Sequence, residues 1–233
     1  MTEFEVKLIE VIKITDTVKS FRFFPKEKIN FYPGQFMQVI FDESDIKNNK
    51  LNKYLSFSSS PTKEYIEFTK RLSNSEFSYK LNSLKTEDKI KIKGPFGDCI
   101  FKEEYKKICF LIGGIGITPV MSIVEYIVDK NLDADIILIY ANRDSCDIPF
   151  KERLNYWEKI NKIKIFYLVE FITAKDRNYI CGLINKDLII KNVKDLSERV
   201  FFIFGPPKMV NYLKEEITGL NIKEIKTESF LGY

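Results

Sequence analysis

The first hundred residues of the chain alternate apolar and polar side chains with a period of two. The alternating runs lie at residues 4–8, 21–23, 66–68 and 90–92. Turn-forming segments separate the runs, among them Pro33-Gly34 and residues 94–97. Alternation with this period is typical of strands that bury one face. The first half of the chain is therefore predicted to form an antiparallel β-barrel.

From about residue 105 the pattern changes to continuous apolar runs separated by amphipathic segments. The runs span Ile108–Ile112, Ile136–Tyr140, Ile163–Val169 and Val200–Phe204. Each gap exceeds the roughly dozen residues that a crossover between parallel strands requires. This half is predicted to be a doubly wound α/β domain with a parallel sheet. We expect domains at residues 1–103 and 104–233, which join at the charged stretch 102–107.

A glycine-rich turn follows the first apolar run, with the sequence Gly-Gly-Ile-Gly-Ile-Thr-Pro at 113–119. Thr118 suits the N-cap of the next helix, and Pro119 suits its first position. Backbone N–H groups at a helix N-terminus attract phosphate, so Gly114 and Gly116 are candidates for nucleotide binding. The segment lacks the lysine of a Walker loop and the third glycine of G-x-G-x-x-G. A turn without a ligand is the alternative.

A second turn, Gly205-Pro206-Pro207, ends the last apolar run and leads into another amphipathic segment. Two such turns at the carboxyl ends of parallel strands face one crevice if the two strands are adjacent. Gly205 and Pro206 therefore strengthen the prediction that a dinucleotide binds to the second domain.

The barrel half contains a serine-rich segment that follows Lys53. Residues 56–60 contain four serines, which offer hydroxyl and backbone donors, and Lys53 offers a cation for a phosphate. Taken alone, such a segment is more often an ordinary loop between strands.

Composition restricts the chemistry open to the chain. Its residues are 45% hydrophobic and 30% charged, as in a globular protein, and histidine is absent. A Ser-His-Asp or Cys-His nucleophile and a His-ligated zinc or haem are thereby excluded. The four cysteines have none of the spacings of zinc or iron–sulfur ligands, so no metal and no iron–sulfur cluster are expected. We predict buried cysteines and a cytoplasmic, reducing compartment.

Charge and hydropathy argue against two further classes of partner. The net charge of +4 is spread along the chain and does not favour nucleic acid. The segment Ile108–Val124 carries no charge, but glycines and a proline interrupt it and it is too short to span a membrane. The N-terminus lacks a basic segment followed by an apolar one, so no signal peptide is expected.

Together the motifs resemble the ferredoxin-NADP reductase family of flavoproteins, which includes flavin reductases and the reductase components of oxygenases. Five family motifs occur in order over nearly the whole chain. They are Lys53–Ser59 for Arg-x-Tyr-Ser/Thr, Ser75–Ser78 for Gly-x-x-Ser, Gly94–Gly97 for G-P-x-G, Gly113–Pro119 for G-G-x-G-x-T-P, and Glu228–Tyr233 for the C-terminal ending. The resemblance implies a flavin-binding barrel followed by a nicotinamide-nucleotide-binding α/β domain.

The resemblance also implies roles for individual residues. Ser56 would lie near the flavin N5 and would be catalytic together with Thr118. Lys53 and the turn Phe77-Ser78 would hold the flavin phosphates, and Lys70 would lie beside the ring. The other cofactor-binding residues that it implies are Tyr54, Leu55, Ser56, Phe68, Ser75, Gly114, Gly116, Thr118, Arg143, Gly205, Pro206 and Phe230.

Three departures from the family pattern weaken the expected hold on FAD. Lys53 replaces an arginine, so a bidentate clamp becomes a single point charge. Leu55 replaces an aromatic residue that meets the flavin, and Ser75 replaces the glycine that opens the phosphate turn. FMN is therefore an alternative to FAD.

Two aromatic residues near the C-terminus are also implied by the resemblance. In some members a C-terminal aromatic ring covers the flavin, a role that Phe230 or Tyr233 would take here. Ordinary packing is an equal alternative for Phe230.

The choice between NADH and NADPH depends on the end of the second apolar run. Arg143 would pair with a 2′-phosphate, whereas Asp144 would repel it and accept a hydrogen bond from a free 2′-hydroxyl. We expect a modest preference for NADPH.

The sequence therefore predicts an NAD(P)H-dependent flavin oxidoreductase that passes electrons to a separate acceptor. The acceptor would be a ferredoxin-like redox protein or a small diffusible molecule. Two alternatives remain open: an NAD(P)H:flavin reductase that uses free flavin as a substrate, and a non-catalytic nucleotide-binding subunit.

Overall fold

The computed structural model describes residues 2–171 and 178–230. It divides into two compact units. The first unit comprises Met1–Phe101 and Thr118–Lys130, and the second comprises Lys102–Ile117 and Asn131–Tyr233. The predicted boundary at residues 103 and 104 stays a prediction. Tyr233, which the resemblance singled out, lies outside the described residues.

The first unit is built on an antiparallel, nearly closed barrel of six strands, as predicted. The strands are β1 Thr2–Lys13, β2 Val18–Pro25, β3 Phe36–Ile40, β4 Asn52–Ser56, β5 Ile66–Arg71 and β6 Lys89–Phe96. Their order is β4-β3-β6-β1-β2-β5, and a bridge between Phe57 and Phe68 links the two ends. Helix α1, Glu76–Ser83, lies between β5 and β6.

The barrel core follows from the alternation along the strands. Val6 and Leu8 of β1 point inward and are almost fully buried. Phe68 of β5 lies between two rings of β2, with centroid distances of 5.8 Å to Phe21 and 5.2 Å to Phe23. Burying aromatic rings removes large apolar areas from water, so these residues supply much of the stability of the barrel.

The second unit contains a parallel sheet of six strands. The strands are β7 Lys107–Gly113, β8 Asp135–Asn142, β9 Lys164–Val169, β10 Ile180–Cys181, β11 Val200–Gly205 and β12 Glu224–Ser229. Their order is β10-β9-β8-β7-β11-β12. The remaining helices are α2 Ile117–Asp129, α3 Lys151–Lys159, α4 Lys186–Asn192 and α5 Pro207–Glu216. The parallel sheet and its four main strands confirm the predicted α/β class.

An apolar cluster on one face of the parallel sheet anchors the second unit. Leu111 of β7, Ile139 of β8 and Ile203 of β11 pack there with Val210 and Leu213 of α5. Glycine turns leave the carboxyl ends of β7 and β11, which are neighbours in the sheet. The core therefore fixes both turns at the same edge of one rigid layer.

The prediction that the cysteines are buried is wrong for part of the set. Cys109 lies in the core, where burial raises the pKa of its thiol, and Cys99 is half-buried. Cys146 and Cys181 are exposed, because one lies in the loop after β8 and the other in the short edge strand β10.

A charge network joins the amino ends of three parallel strands. The Arg199 guanidinium is buried and donates to the backbone carbonyls of Ile108 and Asp135 at 3.1 and 3.0 Å. It also pairs with the carboxylates of Asp135 and Asp195. Because one side chain satisfies groups from several elements, it ties together the edge of the sheet that lies opposite the glycine turns.

Candidate functional site

Two lysines form a basic cluster on the barrel. Lys53 lies on β4 and Lys70 on β5, and the Lys70 ammonium donates to the Arg71 carbonyl at 2.7 Å. Burial, together with the positive charges of Lys53 and Arg71, lowers the pKa of Lys70 to about 8. A nearby anion would relieve this repulsion, so the cluster is suited to a phosphate.

The turn at Ser75–Ser78 is the N-terminus of helix α1. Ser75 is the N-cap and its hydroxyl accepts from the Ser78 N–H at 3.2 Å. The Ser78 hydroxyl accepts from the Ser73 N–H at 3.2 Å. The side chain of Phe77 is fully buried in the barrel core. The role of Ser75, Phe77 and Ser78 in holding phosphate stays a prediction. Because the Phe77 ring is buried, the predicted contact with phosphate is made by the backbone of this turn and not by that ring.

The serine-rich segment uses most of its hydroxyls for the fold. Ser58 donates to Glu67 at 2.8 Å, and Ser59 accepts from the Glu67 N–H at 2.9 Å. The Ser60 hydroxyl is paired with Thr62 at 2.7 Å. Ser56 differs, because its hydroxyl is buried and has no hydrogen-bond partner in the part of the chain that the structure describes. Ser56 is therefore the serine with a hydroxyl left for a ligand.

The aromatic residues predicted to meet the flavin fall into two groups. The Tyr54 ring is 58% exposed and meets the rings of Phe36 and Phe96 edge-on. Phe68 is fully buried in the barrel core, and Leu55 packs against that core. An open aromatic surface is thus present at Tyr54, whereas the Phe68 ring is already enclosed by protein.

The first glycine turn differs from the prediction in its capping. Gly114–Gly116 form a 3₁₀ turn that leads directly into α2 at Ile117. Thr118 and Pro119 therefore lie inside the first helical turn, and the predicted N-cap and first position are wrong. The prediction failed because the three residues before Ile117 already take up helical geometry. The Thr118 side chain is buried.

The two glycines of this turn serve different purposes. Gly114 has a φ of +52°, and a Cβ added there would meet no atom within 4 Å, so the backbone is open on this side. A Cβ on Gly116 would lie 2.5 Å from the carbonyl oxygen of Phe204. Gly116 therefore allows the turn after β7 to approach the end of β11, and Gly114 leaves room for a ligand.

The second turn lies beside the first, as predicted. Pro206 is the N-cap of α5 and Pro207 is its first residue. The Phe230 N–H donates to the Gly205 carbonyl at 3.1 Å, and the Phe230 ring lies 6.4 Å from the Phe204 ring. Gly114, Gly116, Gly205, Pro206 and Phe230 are thus brought to the carboxyl edge of one sheet.

The loop after β8 carries the two charges expected to distinguish the nucleotides. The Asp144 carboxylate accepts from the backbone N–H groups of Cys146 and Asp147 at 2.9 and 3.0 Å. Arg143 is exposed, and the structure gives its side chain no partner among the described residues. The carboxylate is therefore held by its own loop, while the guanidinium is available.

Glu228 on β12 was not among the predicted site residues, although it begins the C-terminal motif. It pairs in register with Phe204, and its Oε2 is buried without a partner among the described residues. Burial raises the pKa of Glu228 to about 7. The sequence does not reveal that Glu228 is buried. On a polar edge strand, the residues that face protein and the residues that face water are of the same types.

A cavity of about 710 Å³ beside β9 was also not foreseen. Its lining includes Lys151, Asn155, Tyr167 and Tyr179. The Lys151 ammonium lies 5.1 Å from the centre of the Tyr179 ring. Aromatic faces beside a cation suit a base and a phosphate.

Comparison with known proteins assigns the chain to a family. Residues 5–101 match the oxidoreductase FAD-binding domain, and residues 110–215 match the oxidoreductase NAD-binding domain. The chain belongs to the ferredoxin-NADP reductase family. Members of this family are NAD(P)H-dependent flavin oxidoreductases, and the two matched domains are an FAD-binding and an NAD-binding domain.

Individual members resemble the chain over different lengths. The glycine betaine monooxygenase reductase subunit of Chromohalobacter salexigens is 26% identical over 97% of this chain and 63% of its own length. Nitrate reductase [NADH] 1 of Arabidopsis thaliana is 31% identical over 62% of this chain and 18% of its own length. The chain thus spans less than two thirds of these relatives.

The same fold is present in the cytochrome b5 reductase domain of Ulva prolifera nitrate reductase. The two structures have a TM-score of 0.81, with 21% identity over 97% of each chain. This likeness confirms the predicted fold, an antiparallel barrel and an α/β domain with a parallel sheet.

The residues present fit the two cofactors of the family. The unpartnered Ser56 hydroxyl and the lysine cluster suit a flavin with its phosphates. The open backbone at Gly114, beside a second glycine turn, suits a dinucleotide.

Within residues 2–171 and 178–230, no three His, Cys, Asp or Glu side chains are grouped to hold a metal ion. No helix in the same residues has the length and apolar character to cross a membrane.

Proposed function

We propose that this chain transfers hydride from NAD(P)H to FAD and passes the electrons to a separate acceptor. The observation that carries the proposal is the Ser56 hydroxyl, which is buried and unpartnered at the end of β4 in a FAD-binding domain. Bound FAD supplies the redox chemistry, since it accepts a hydride and releases electrons. The chain supplies binding, orientation and hydrogen bonds.

The proposed roles follow from the geometry of each residue. Ser56 donates a hydrogen bond to the flavin ring, and Lys70 lies beside the ring. Lys53 and the turn Phe77-Ser78 bind the flavin phosphates. The Gly114 turn and the N-terminus of α2 bind the nucleotide pyrophosphate through backbone N–H groups. Thr118 in the first turn of α2 stays a proposed catalytic residue.

Replacing Ser56 by alanine tests the central assignment. We expect the rate of flavin reduction by NAD(P)H to fall roughly tenfold, because one hydrogen bond to the ring is lost. Flavin content should be retained, and the melting temperature of the flavin-free protein should not fall, since the hydroxyl has no partner among the described residues. Stopped-flow absorbance at the flavin band measures the rate. Ser58→Ala is the matched control, and it should destabilise the barrel because its hydroxyl is bonded to Glu67. An unchanged reduction rate in Ser56→Ala would remove Ser56 from the site.

Lys53→Ala is expected to weaken flavin binding by roughly ten- to a hundredfold. One charge-assisted contact to phosphate contributes about 1.5 to 3 kcal/mol. Fluorescence titration of the apoprotein with FAD and with FMN measures both affinities. The exposed Lys50, three residues earlier, provides the control Lys50→Ala, which should bind flavin like the wild type. Equal affinities in the Lys53 and Lys50 variants would move the phosphates elsewhere.

NADPH is the proposed preferred nucleotide. The Asp144 carboxylate is occupied by its own loop, whereas Arg143 is exposed and free to pair with a 2′-phosphate. We expect kcat/KM for NADPH to exceed that for NADH modestly, and Arg143→Ala to abolish the difference. A strong NADH preference that survives Arg143→Ala would contradict the assignment.

A free-flavin reductase is the second candidate, favoured by Lys53, Leu55 and Ser75 at family motif positions. A colourless protein after dialysis would support it, whereas retained flavin would support the first proposal. Measurable steady-state oxidation of NAD(P)H with an artificial acceptor would exclude a non-catalytic subunit.

The proposed electron acceptor is an oxygenase component or a ferredoxin-like protein. The relative named as a monooxygenase reductase subunit supports this choice. A cytoplasmic location, where NAD(P)H is supplied, completes the proposal.

A further inference from the structure

Asn142, the last residue of β8, buries a carboxamide without a partner. Its side chain is 7% exposed. Neither Oδ1 nor Nδ2 has a hydrogen-bond partner among the residues that the structure describes. Buried polar groups in native proteins are nearly always satisfied, so two unsatisfied atoms on one side chain call for an explanation.

The alternation along β8 shows which face of the sheet carries this side chain. Ile139 and Ala141 pack with the apolar cluster that includes Val210 of α5. Side chains alternate along a strand, so Tyr140 and Asn142 lie on the opposite face. The Tyr140 hydroxyl donates to the Gly114 carbonyl at 2.9 Å. The face that carries Asn142 is therefore the one that meets the glycine turn.

The strand register places Asn142 beside the turn itself. In the parallel pair β7–β8, Ile112 is opposite Tyr140 and Gly113 is opposite Ala141. Asn142 and Gly114 each follow the last pair of this ladder, so both lie just beyond the carboxyl end of the paired segment. Gly114 is the position where the backbone is open to a ligand. The unpartnered carboxamide and the open turn thus lie at the same point of the sheet edge.

We propose that Asn142 is a nucleotide-binding residue, a role that rests on the proposed function. Its carboxamide offers two N–H donors and an oxygen acceptor, which match phosphate oxygens and a ribose hydroxyl. The ligand is the pyrophosphate–ribose part that NADH and NADPH share. Asn142 thus contributes to affinity for both nucleotides, whereas the exposed Arg143 distinguishes them.

Asn142→Leu tests the inference, because leucine has a similar volume and no polar atoms. Isothermal titration calorimetry with NAD⁺ and with NADP⁺ should show both dissociation constants raised about tenfold, with their ratio unchanged. Flavin content should be unchanged. The melting temperature of the nucleotide-free protein should rise by about 2 to 6 °C, since two unsatisfied buried groups are removed.

Ser122→Ala is the matched control. Ser122 on α2 is also fully buried with an unpartnered hydroxyl in the described structure. Its replacement should raise the melting temperature without changing either dissociation constant. Should leucine prevent folding, Asn142→Ala carries the affinity test.

Unchanged affinity for both nucleotides in the Asn142 variants would overturn the inference. A wild-type protein that binds neither NAD⁺ nor NADP⁺ would instead overturn the proposed function.

Discussion

Replacing Arg199 by methionine is expected to lower the free energy of unfolding by about 3 kcal/mol. Removing one partner from a buried charge network leaves the other groups without compensation. Here the carbonyls of Ile108 and Asp135 lose the Arg199 donor, and the carboxylate of Asp195 keeps only Lys107. Methionine keeps most of the apolar volume, so the loss reports the polar contacts rather than a cavity.

The stability loss in the Arg199 variant should depend on pH. Burial opposes ionisation of Asp195, but hydrogen bonds from Arg199 and Lys107 outweigh it and lower its pKa to about 2. A lowered carboxyl pKa contributes stability above its unfolded value near 4, and this contribution disappears as the pH falls through about 2. The stability difference between wild type and Arg199→Met should therefore become smaller in acid, and the part that comes from the Ile108 and Asp135 carbonyls should remain.

Urea unfolding between about pH 2 and pH 7 measures this difference. Lys223→Met, an exposed cation before β12, is the control and should change stability by less than about 0.5 kcal/mol. A variant of Arg199 that matched the control at neutral pH would show that the network contributes nothing to stability.

Glu228→Gln is expected to stabilise the protein in alkaline solution by up to about 3 kcal/mol. Burial raises the pKa of Glu228 from 4.5 to about 7. The folded state then holds a proton that the unfolded state has released, so stability falls as pH rises between these two values. A shift of one pKa unit corresponds to about 1.4 kcal/mol. Glutamine is neutral throughout and avoids the loss.

Thermal unfolding at about pH 4 and about pH 8 tests this prediction. The two proteins should be similar at the lower pH, and the glutamine variant should be more stable at the higher one. Glu224→Gln, on the same strand but ion-paired with Lys226 at 3.1 Å, should show no such gain. Equal pH dependence in wild type and Glu228→Gln would mean that Glu228 ionises normally.

The strands with strong apolar patterns were predictable, and the polar edge strand was not. β7, β8 and β11 correspond to three of the apolar runs because a central parallel strand is buried on both faces. β9 corresponds to the fourth run, although only its last two residues are buried. β12 has one apolar residue in six, Ile225, and pairs with β11 as an edge strand. This strand forms through backbone hydrogen bonds to β11, and its side chains show no pattern from which a strand could be predicted.

The candidate site was predictable where backbone geometry requires a residue type. The glycine turns fall into this class, whereas the binding roles in the Lys53–Ser59 motif rest on the resemblance and stay predictions. The environment of an aromatic ring was not predictable, as Phe68 and Phe77 show. A ring that faces a cofactor and a ring that faces the core occur in the same strand or helix pattern. Asn142 and Glu228 show a second limit, because unsatisfied burial depends on neighbours that are distant in sequence.

The serine-rich segment after Ser56 has the composition of a mobile loop, yet its amide protons should exchange slowly with solvent. The Ser60 N–H is bonded to buried Glu125 at 2.7 Å, and the Ser58 N–H to the Glu67 carbonyl at 2.7 Å. Exchange at these amides requires local opening that exposes a buried carboxylate. The Ser56 hydroxyl is thus attached to a segment with little freedom to reorient, and a bound flavin ring would meet a donor that is already in place.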